Sequence, residues 1–254
     1  MTTVDFITEL FCRTDDDMNE VAKHPQANLY PSELVTIGLL HALKGVGQRA
    51  FYRWLARDYQ TLFPRLPERT RLFRALATHH AWTQRFLAAP SVLGICDSYA
   101  VELLHPRREG RSDQQIGKKG KSNHRWIIGA KVAPLLNAQA LVVDWDCATA
   151  NVHDAAFHRL LAKYDGQMIV LCDSGFHAQA GDPPNCKICK RGTWNERMLI
   201  ETLFSMLTTV CHTKKMRHRL WRYLQARLAY LMALYNILVQ WHGAVCLSIA
   251  PFSL

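Results

Sequence analysis

The sequence predicts an α/β protein in which a mixed sheet flanked by helices follows an all-helical amino-terminal region. Residues 1–88 show helical patterns with start and stop signals. After Pro90 three strand-like apolar runs appear, at residues 91–97, 124–136 and 140–148. A short helix, a fourth apolar strand and two helices come next. Three consecutive strands favour an antiparallel meander, and the helix and strand after them favour a crossover, so we expect a mixed sheet.

The chain length and the net charge limit which class of protein this can be. The 254 residues suit one large domain or one medium domain with an appendage, and we divide them into 1–88 and 89–254. The formal net charge of +10 indicates a polyanionic partner, nucleic acid first and an anionic membrane surface second. Residues 228–241 are apolar but short for a membrane span, so we expect a buried helix there and no membrane partner.

The cysteines indicate a reducing compartment. The chain has eight cysteines, is basic and lacks a signal-peptide pattern at its amino terminus, which is not typical of a disulfide framework. Cys186 and Cys189 have the spacing of half a zinc site, and zinc binding there stays open.

The amino-terminal region contains a candidate DNA-binding unit. Residues 31–45 begin with a Pro-Ser-Glu start signal and end at a glycine, and a second helix follows a Gly-Val-Gly turn. This arrangement resembles a helix-turn-helix. Arg49, Arg53 and Arg57 recur every four residues on the second helix and share one face. We expect that face to contact DNA, with a solvated helix surface as the alternative.

Two aspartates stand at equivalent places on different predicted strands. Asp97 and Asp173 each end a short apolar run and are each followed by serine. If the two strands are parallel neighbours, both carboxylates emerge at one edge of the sheet, and they stay ionised together only with a cation between them. A turn or cap role is the ordinary alternative. Asp144 and Asp146 are rivals for the second position, and we expect Asp154 to cap the helix that follows.

A third acid lies on the helix predicted over residues 194–212. Trp194, Arg197 and Glu201 are spaced at i, i+3 and i+7, so they share a face, and Glu201 borders the apolar stripe. Two aspartates and a glutamate suit Mg²⁺ or Mn²⁺, which prefer oxygen ligands. The Arg197–Glu201 spacing is also that of an ordinary ion pair on a helix.

Three segments on this strand order carry a resemblance to a known family. They are ICDS at 95–98, VLCDSGFH at 170–177 and WNERMLIETLFSML at 194–207. Together they resemble the transposases of bacterial insertion sequences, which are Asp-Asp-Glu (DDE) enzymes with a ribonuclease-H-like core. The resemblance covers nearly the whole chain.

The resemblance implies a ribonuclease-H-like catalytic domain over 89–254 that cleaves DNA and transfers strands at insertion-sequence ends. Asp97, Asp173 and Glu201 would be catalytic and hold two Mg²⁺ or Mn²⁺ ions, and Arg197 would neutralise phosphate or orient Glu201. The partners implied are double-stranded DNA, as element ends and target, and a second copy of the chain in a homodimer on DNA. We expect a cytoplasmic, nucleoid-associated protein.

One large group in that superfamily carries a tyrosine before, and a lysine after, the arginine and glutamate of this helix. Trp194 stands at the tyrosine place, where it either packs or stacks on an unpaired base. Thr208 stands at the lysine place. Lys214 and Lys215 would lie roughly 9–10 Å further along a continuing helix.

Basic residues near the expected site complete the predicted DNA surface. Residues 117–121 and 214–227 contain many basic side chains and no acid, and we expect one long helix over about 216–241. The predicted phosphate contacts in these segments are Lys118, Lys119, Lys121, Lys214, Lys215, Arg217 and Arg219.

Two alternatives to a transposase stay open. A metal-dependent, structure-specific nuclease on the same core would cut DNA without rejoining it. A DNA-binding remnant of a transposon would bind DNA without cutting it.

Overall fold

The computed structural model describes residues 2–113, 115–122, 125–190, 197–243, 248–252 and 254. The segment 2–88 is helical, as predicted, and ends in a 3-10 helix at His80–Phe86. Its α-helices are α1 (Thr3–Met18), α2 (Pro31–Lys44), α3 (Gln48–Asp58) and α4 (Arg69–Thr78). A role of this region in DNA binding stays a prediction.

The start and stop signals of α2 act as the sequence predicts. Pro31 occupies the first helical position, where its missing N–H leaves no partner unsatisfied. The Glu33 carboxylate accepts a 2.6 Å hydrogen bond from the Tyr30 backbone N–H. Gly45 follows the helix with a φ of 66°, a left-handed conformation that residues with a β-carbon rarely adopt. Because α2 is buried along almost its whole length, α3 is the exposed member of this helix pair.

The described residues form a seven-stranded mixed sheet. Its strands are β1 (Leu93–Cys96), β2 (Tyr99–Leu104), β3 (Lys118–Ser122), β4 (Arg125–Asn137), β5 (Val142–Thr149), β6 (Ile169–Cys172) and β7 (Cys186–Ile188). β1 and β2 pair with β4 in antiparallel fashion, and so does β5, which confirms the meander. β6 pairs in parallel with β1, and β7 with β6. A mixed sheet with flanking helices is consistent with a ribonuclease-H-like fold.

β7 lies inside residues 174–193, where glycine, proline and polar residues predict a loop. Three residues among prolines and polar side chains carry no strand pattern, so the pairing is determined by tertiary contacts. The buried Asn185 side chain donates hydrogen bonds to the backbone oxygens of Leu161 and Met168, at 2.9 and 3.2 Å. This anchors the chain beside β6, where the Asn185 backbone oxygen accepts from the Val170 N–H.

Three further helices pack against strands of the sheet. They are the short α5 (His158–Ala162), α6 (Arg197–Thr209) and α7 (Trp221–Trp241). The last helix begins at Trp221 and not near residue 216 as predicted, because the preceding residues are extended beside β2. The Glu102 N–H donates to the Lys214 oxygen at 3.1 Å, and the Met216 N–H donates to the Glu102 oxygen at 2.9 Å.

α7 is the buried helix that the apolar run at 228–241 predicts. It packs against α2 and α4 on one side and against β5 on another, and Phe6 of α1 stacks on its Trp241, so the amino-terminal helices share one core with the sheet. The fully buried Asn236 side chain accepts from the Val142 N–H and donates to the Val142 and Phe86 oxygens, at 2.8, 2.8 and 2.9 Å. Among the described helices, none has the length and hydropathy needed to span a bilayer.

Candidate active site

The parallel pairing of β1 with β6 brings the two predicted aspartates together. Ile95 is in register with Leu171, and Asp97 and Asp173 each follow two residues later. Both side chains line one cleft of about 410 Å³ at the carboxyl ends of these strands. The two aspartates therefore share a sheet edge, as the sequence predicts, whereas their catalytic role stays a proposal.

Asp97 is held in an environment that disfavours its charge. Its side chain is only 15% exposed, and this burial raises its pKa to about 6, with the nearby Asp173 carboxylate adding to the effect. Two groups act in the opposite direction: the Ser98 backbone N–H donates to Oδ1 at 2.7 Å, and Arg197 lies 3.7 Å from Oδ2. Among the described residues, no side chain that contacts Asp97 neutralises it fully, so a cation entering the cleft would relieve the repulsion between the carboxylates.

Asp173 also has the turn role that the sequence left open. Its Oδ1 accepts a 2.9 Å hydrogen bond from the Gly175 backbone N–H and so caps a one-turn 3-10 helix. A β-carbon at residue 175 would lie 3.0 Å from that oxygen and 2.8 Å from Oδ2 of Asp154. Glycine at this position therefore lets two carboxylates approach the turn, and the capping and cleft-lining roles of Asp173 coexist.

Asp154 is a cleft residue that the sequence argument missed. The cap of the helical turn at 154–157 is His153, whose Nδ1 accepts from the Ala155 N–H, so the expected capping role of Asp154 is wrong. Asp154 instead forms a 2.7 Å ion pair with Lys131 of β4, with both side chains less than one-fifth exposed. Lys131 lies in the middle of an apolar strand pattern, which is the signal that could have identified the pair. The Lys131 ammonium thus neutralises the Asp154 carboxylate in the cleft.

Arg197 links the helix to the strand edge. Its Nε donates to Glu201 Oε1 at 3.0 Å, and its Nη2 lies 3.7 Å from Asp97 Oδ2. The Arg197–Glu201 contact is thus the ordinary ion pair of a helix, but it lies at the cleft, and the same guanidinium also approaches Asp97 at the end of β1. The Glu201 side chain is 59% exposed and lines the cleft at its open side.

The donor set fits a divalent cation at the aspartates and less well at the glutamate. Asp97 and Asp173 supply hard oxygen ligands in a cleft that already disfavours their joint charge. Glu201 is instead engaged by Arg197. Within the described part of the chain, no three His, Cys, Asp or Glu side chains lie close enough to hold one ion. Any cation site here would therefore be built on the aspartate pair, with Glu201 closing on it only after Arg197 releases it.

The cleft also has cationic walls. Lys121 of β3 and Lys214 line it beside the acids. Lys214 reaches the cleft because α6 ends at Thr209 and the chain returns along β2, so the expectation that it lies 9–10 Å further along a helix is wrong. Thr208 stands at the position that a lysine occupies in the family pattern, and its hydroxyl forms a hydrogen bond with the Tyr99 hydroxyl.

The other predicted DNA contacts lie on exposed surfaces. Arg49, Arg53 and Arg57 are exposed on α3, although Arg57 forms a bidentate pair with Asp58. Exposed side chains also occur at Lys118, Lys119, Lys215, Arg217 and Arg219. Trp194 lies outside the described residues.

Trp126 is a second aromatic side chain near this surface that the sequence argument passed over. It is 58% exposed on β4, and the Lys119 ammonium lies 5.3 Å from the centre of its ring. An exposed tryptophan paired with a lysine suits contact with an unpaired base.

The rival acids are engaged elsewhere. Asp146 forms a 2.8 Å ion pair with Arg159, and Asp144 pairs with Lys163 at 3.0 Å. Neither residue lines the cleft. Both are therefore less suited than Asp173 to the second position.

In the described part of the chain, Cys186 and Cys189 do not belong to any group of three or more side chains that could hold a zinc ion. Cys186 packs against the small core that contains Cys172, whereas Cys211 belongs to the main core beside α7. The question of zinc at Cys186 and Cys189 thus gains no support from the geometry.

A second cavity of similar volume, about 430 Å³, lies between the α1–α2 connection and α4. Tyr30, Arg71, His79 and Trp82 are among the residues that line it, and its described lining contains no carboxylate. It therefore lacks the ligands for hard-cation chemistry, and the smaller acid-lined cleft is the better candidate for an active site.

Comparisons with known proteins add little to this geometry. No protein-family model and no curated protein matches the sequence. A solved structure, "Mos1 transposase paired-end complex with left transposon end", is similar over 96% of this chain and 87% of that chain, with 14% sequence identity and a TM-score of 0.35. Overlap of this quality does not establish a shared fold.

Proposed function

We propose that the chain is a DNA transposase of the DDE type, which cleaves and transfers DNA strands at insertion-sequence ends in a metal-dependent reaction. The observation that carries the proposal is the aspartate pair: parallel strands end side by side in a cleft where burial and a neighbouring carboxylate raise the pKa of Asp97 to about 6. Such an arrangement is unfavourable for stability and is typical of sites that take up a cation.

The chain's own groups have distinct tasks in this proposal. Mg²⁺ or Mn²⁺, when bound, supplies Lewis-acid stabilisation to phosphate oxygens. Asp97 and Asp173 in their ionised forms provide the ligands, and Glu201 joins them when Arg197 turns to a phosphate. Lys121 and Lys214 line the same cleft and hold the DNA backbone there.

A cleavage assay tests the proposal. The substrate is a supercoiled plasmid that carries the gene with its flanking DNA, incubated with Mn²⁺ or Mg²⁺. Asp97→Asn, Asp173→Asn and Glu201→Gln should abolish cleavage and leave DNA binding in a filter or gel assay largely intact. Asp146→Asn, which removes an acid outside the cleft, is the matched control and should cleave as the wild type does. Retained cleavage in Asp97→Asn would remove that residue from the site.

The same assay separates the alternatives. Covalent joining of the cleaved end to a second plasmid indicates a transposase, whereas cleavage with no joined product indicates the nuclease. A protein that binds DNA and takes up neither Mg²⁺ nor Mn²⁺ is the non-catalytic remnant. A homodimer on DNA is part of the transposase proposal, and sedimentation of the protein with end DNA measures it.

A further inference from the structure

A small buried pocket that contains one arginine lies apart from the cleft, where α2, α3, α4 and α7 approach one another, and the side that α4 provides is apolar. His41 of α2, His218 from the extended segment and Arg227 of α7 line the pocket, together with Gln48 and Tyr223. His41 and Arg227 are each only 6% exposed. The lining contains no carboxylate among the described residues.

Polar atoms of this pocket lack partners in the described part of the chain. They are Nε and Nη2 of Arg227 and Nε2 of both His41 and His218. Burial, with the charge of Arg227 added, holds the pKa of His41 well below its usual range and lowers that of His218 to about 3. Burial lowers the pKa of Arg227 only to about 10, so its guanidinium is charged at neutral pH. A buried guanidinium whose N–H groups lack an acceptor is costly unless one enters, and each neutral imidazole beside it can donate or accept one further hydrogen bond.

Two helices direct their amino termini to the same place. Gln48 is the first residue of α3, and Tyr223 is in the first turn of α7. Neither helix has a side-chain cap or an acidic residue in its first turn, in contrast to α1 and α4, which Thr2 and Glu68 cap. The uncapped amino terminus of α3 presents N–H groups without a cap and the positive end of the helix dipole, both of which favour an anion. At α7 the Tyr223 N–H already donates to the Leu220 oxygen at 3.2 Å, so this helix contributes only the positive end of its dipole.

We propose that this pocket is an anion site that takes a phosphate-class oxyanion. The pocket has a volume of about 20 Å³, room for one oxygen atom, so in this proposal a single phosphate oxygen enters to meet Arg227 and His218 while the rest of the group stays outside at the amino terminus of α3. Exposed Arg49, Arg217 and Arg219 flank its lining residues in sequence. The occupant that suits this surface is a backbone phosphate of DNA, an assignment that rests on the proposed function. Free inorganic phosphate offers the same chemistry.

Thermal unfolding with inorganic phosphate tests the site itself. Phosphate at about ten times its dissociation constant should raise the unfolding midpoint of the wild type by about 3–6 °C over chloride of equal ionic strength. Gln48→Glu places a carboxylate at the mouth and should remove this shift. Gln60→Glu adds the same charge beyond the carboxyl end of α3 and should keep it, which also controls for general stabilisation by phosphate. Arg227→Met should lose the shift as well.

Equal phosphate-induced shifts of the unfolding midpoint in the wild type and in Gln48→Glu would overturn the site.

DNA binding then distinguishes the source of the anion. If the pocket seats a backbone phosphate, Gln48→Glu should flatten the slope of log affinity against log salt by about one relative to Gln60→Glu. A lost phosphate shift with an unchanged slope would leave an anion site and overturn the DNA assignment. A phosphate shift in a wild type that binds no DNA would refute the proposed function and not the site.

Discussion

Asp97 should reduce the stability of the protein at neutral pH, and Asp97→Asn should remove that cost. In the fold the pKa of Asp97 is raised from 3.8 to about 6. A raised carboxylate pKa means that the folded state binds the proton more tightly than the unfolded state does. The stabilisation from the protonated form is therefore complete below about pH 3.8 and is lost as the pH rises through 6.

The size of the effect follows from the shift. A difference of about two units, at 1.36 kcal/mol each, corresponds to about 3 kcal/mol above pH 6. Asparagine keeps an oxygen that can accept from the Ser98 N–H but carries no charge, so Asp97→Asn should gain most of this energy. For a chain of this length the gain corresponds to a rise of the unfolding midpoint by about 6–12 °C.

The assay is thermal unfolding at pH 7.5 and pH 4 in buffer with a chelator. Asp97→Asn should exceed the wild type at pH 7.5 and match it more closely at pH 4. Asp146→Asn is the control, because it removes an acid whose ion pair with Arg159 lies outside the cleft, and it should change stability by at most about 1 kcal/mol. Adding Mn²⁺ should then stabilise the wild type and not Asp97→Asn. An Asp97→Asn protein that is no more stable than the wild type at pH 7.5 would refute the account of this carboxylate.

Further predictions concern the neighbours of the aspartate pair. Lys131→Met leaves Asp154 unpaired in the cleft and should lower the free energy of unfolding by roughly 3 kcal/mol, measured in urea at pH 7.5. The double variant Lys131→Met with Asp154→Leu should recover most of this loss. If the costs of the two substitutions instead add, the two side chains are not a coupled pair. Gly175→Ala should lower the cleavage rate more than the stability, because its β-carbon displaces the Asp154 and Asp173 carboxylates; unchanged cleavage would contradict this. Trp126→Ala should weaken binding to single-stranded DNA more than to duplex, measured by fluorescence anisotropy.

Strands β1, β4, β5 and β6 and the aspartate pair were predictable because local patterns determine them. β2 was not predicted, and the polar, basic residues around β3 predict a loop or an irregular hairpin. Short apolar runs that end in Asp-Ser predict where β1 and β6 stop, and the order of strands around one helix implies the parallel pairing that places Asp97 beside Asp173. β7 was missed because its three residues have no pattern of their own. They pair only because the Asn185 side chain anchors them, and that contact joins residues that are distant in sequence.

Asp154 was misassigned for a similar reason. Its position at the start of a helical turn is typical of a cap. A lysine within the apolar pattern of β4 indicates that Lys131 has a buried acidic partner, but the sequence does not specify that this partner is the acid 23 residues later. The extent of the last helix was overestimated because 214–220 contains good helix formers. Backbone pairing with Glu102 of β2 outweighs that local preference, as tertiary contacts commonly do.

That pairing also makes two adjacent lysines a test of the cleft. Successive side chains of an extended segment point to opposite sides, so Lys214 lines the cleft whereas Lys215 does not. Lys214→Ala should slow cleavage and flatten the salt dependence of DNA binding by about one, because one phosphate contact is lost. Lys215→Ala removes the same charge one residue away and should slow cleavage much less. Equal effects on the cleavage rate would mean that only the summed charge of this segment matters, and that Lys214 has no specific task in the cleft.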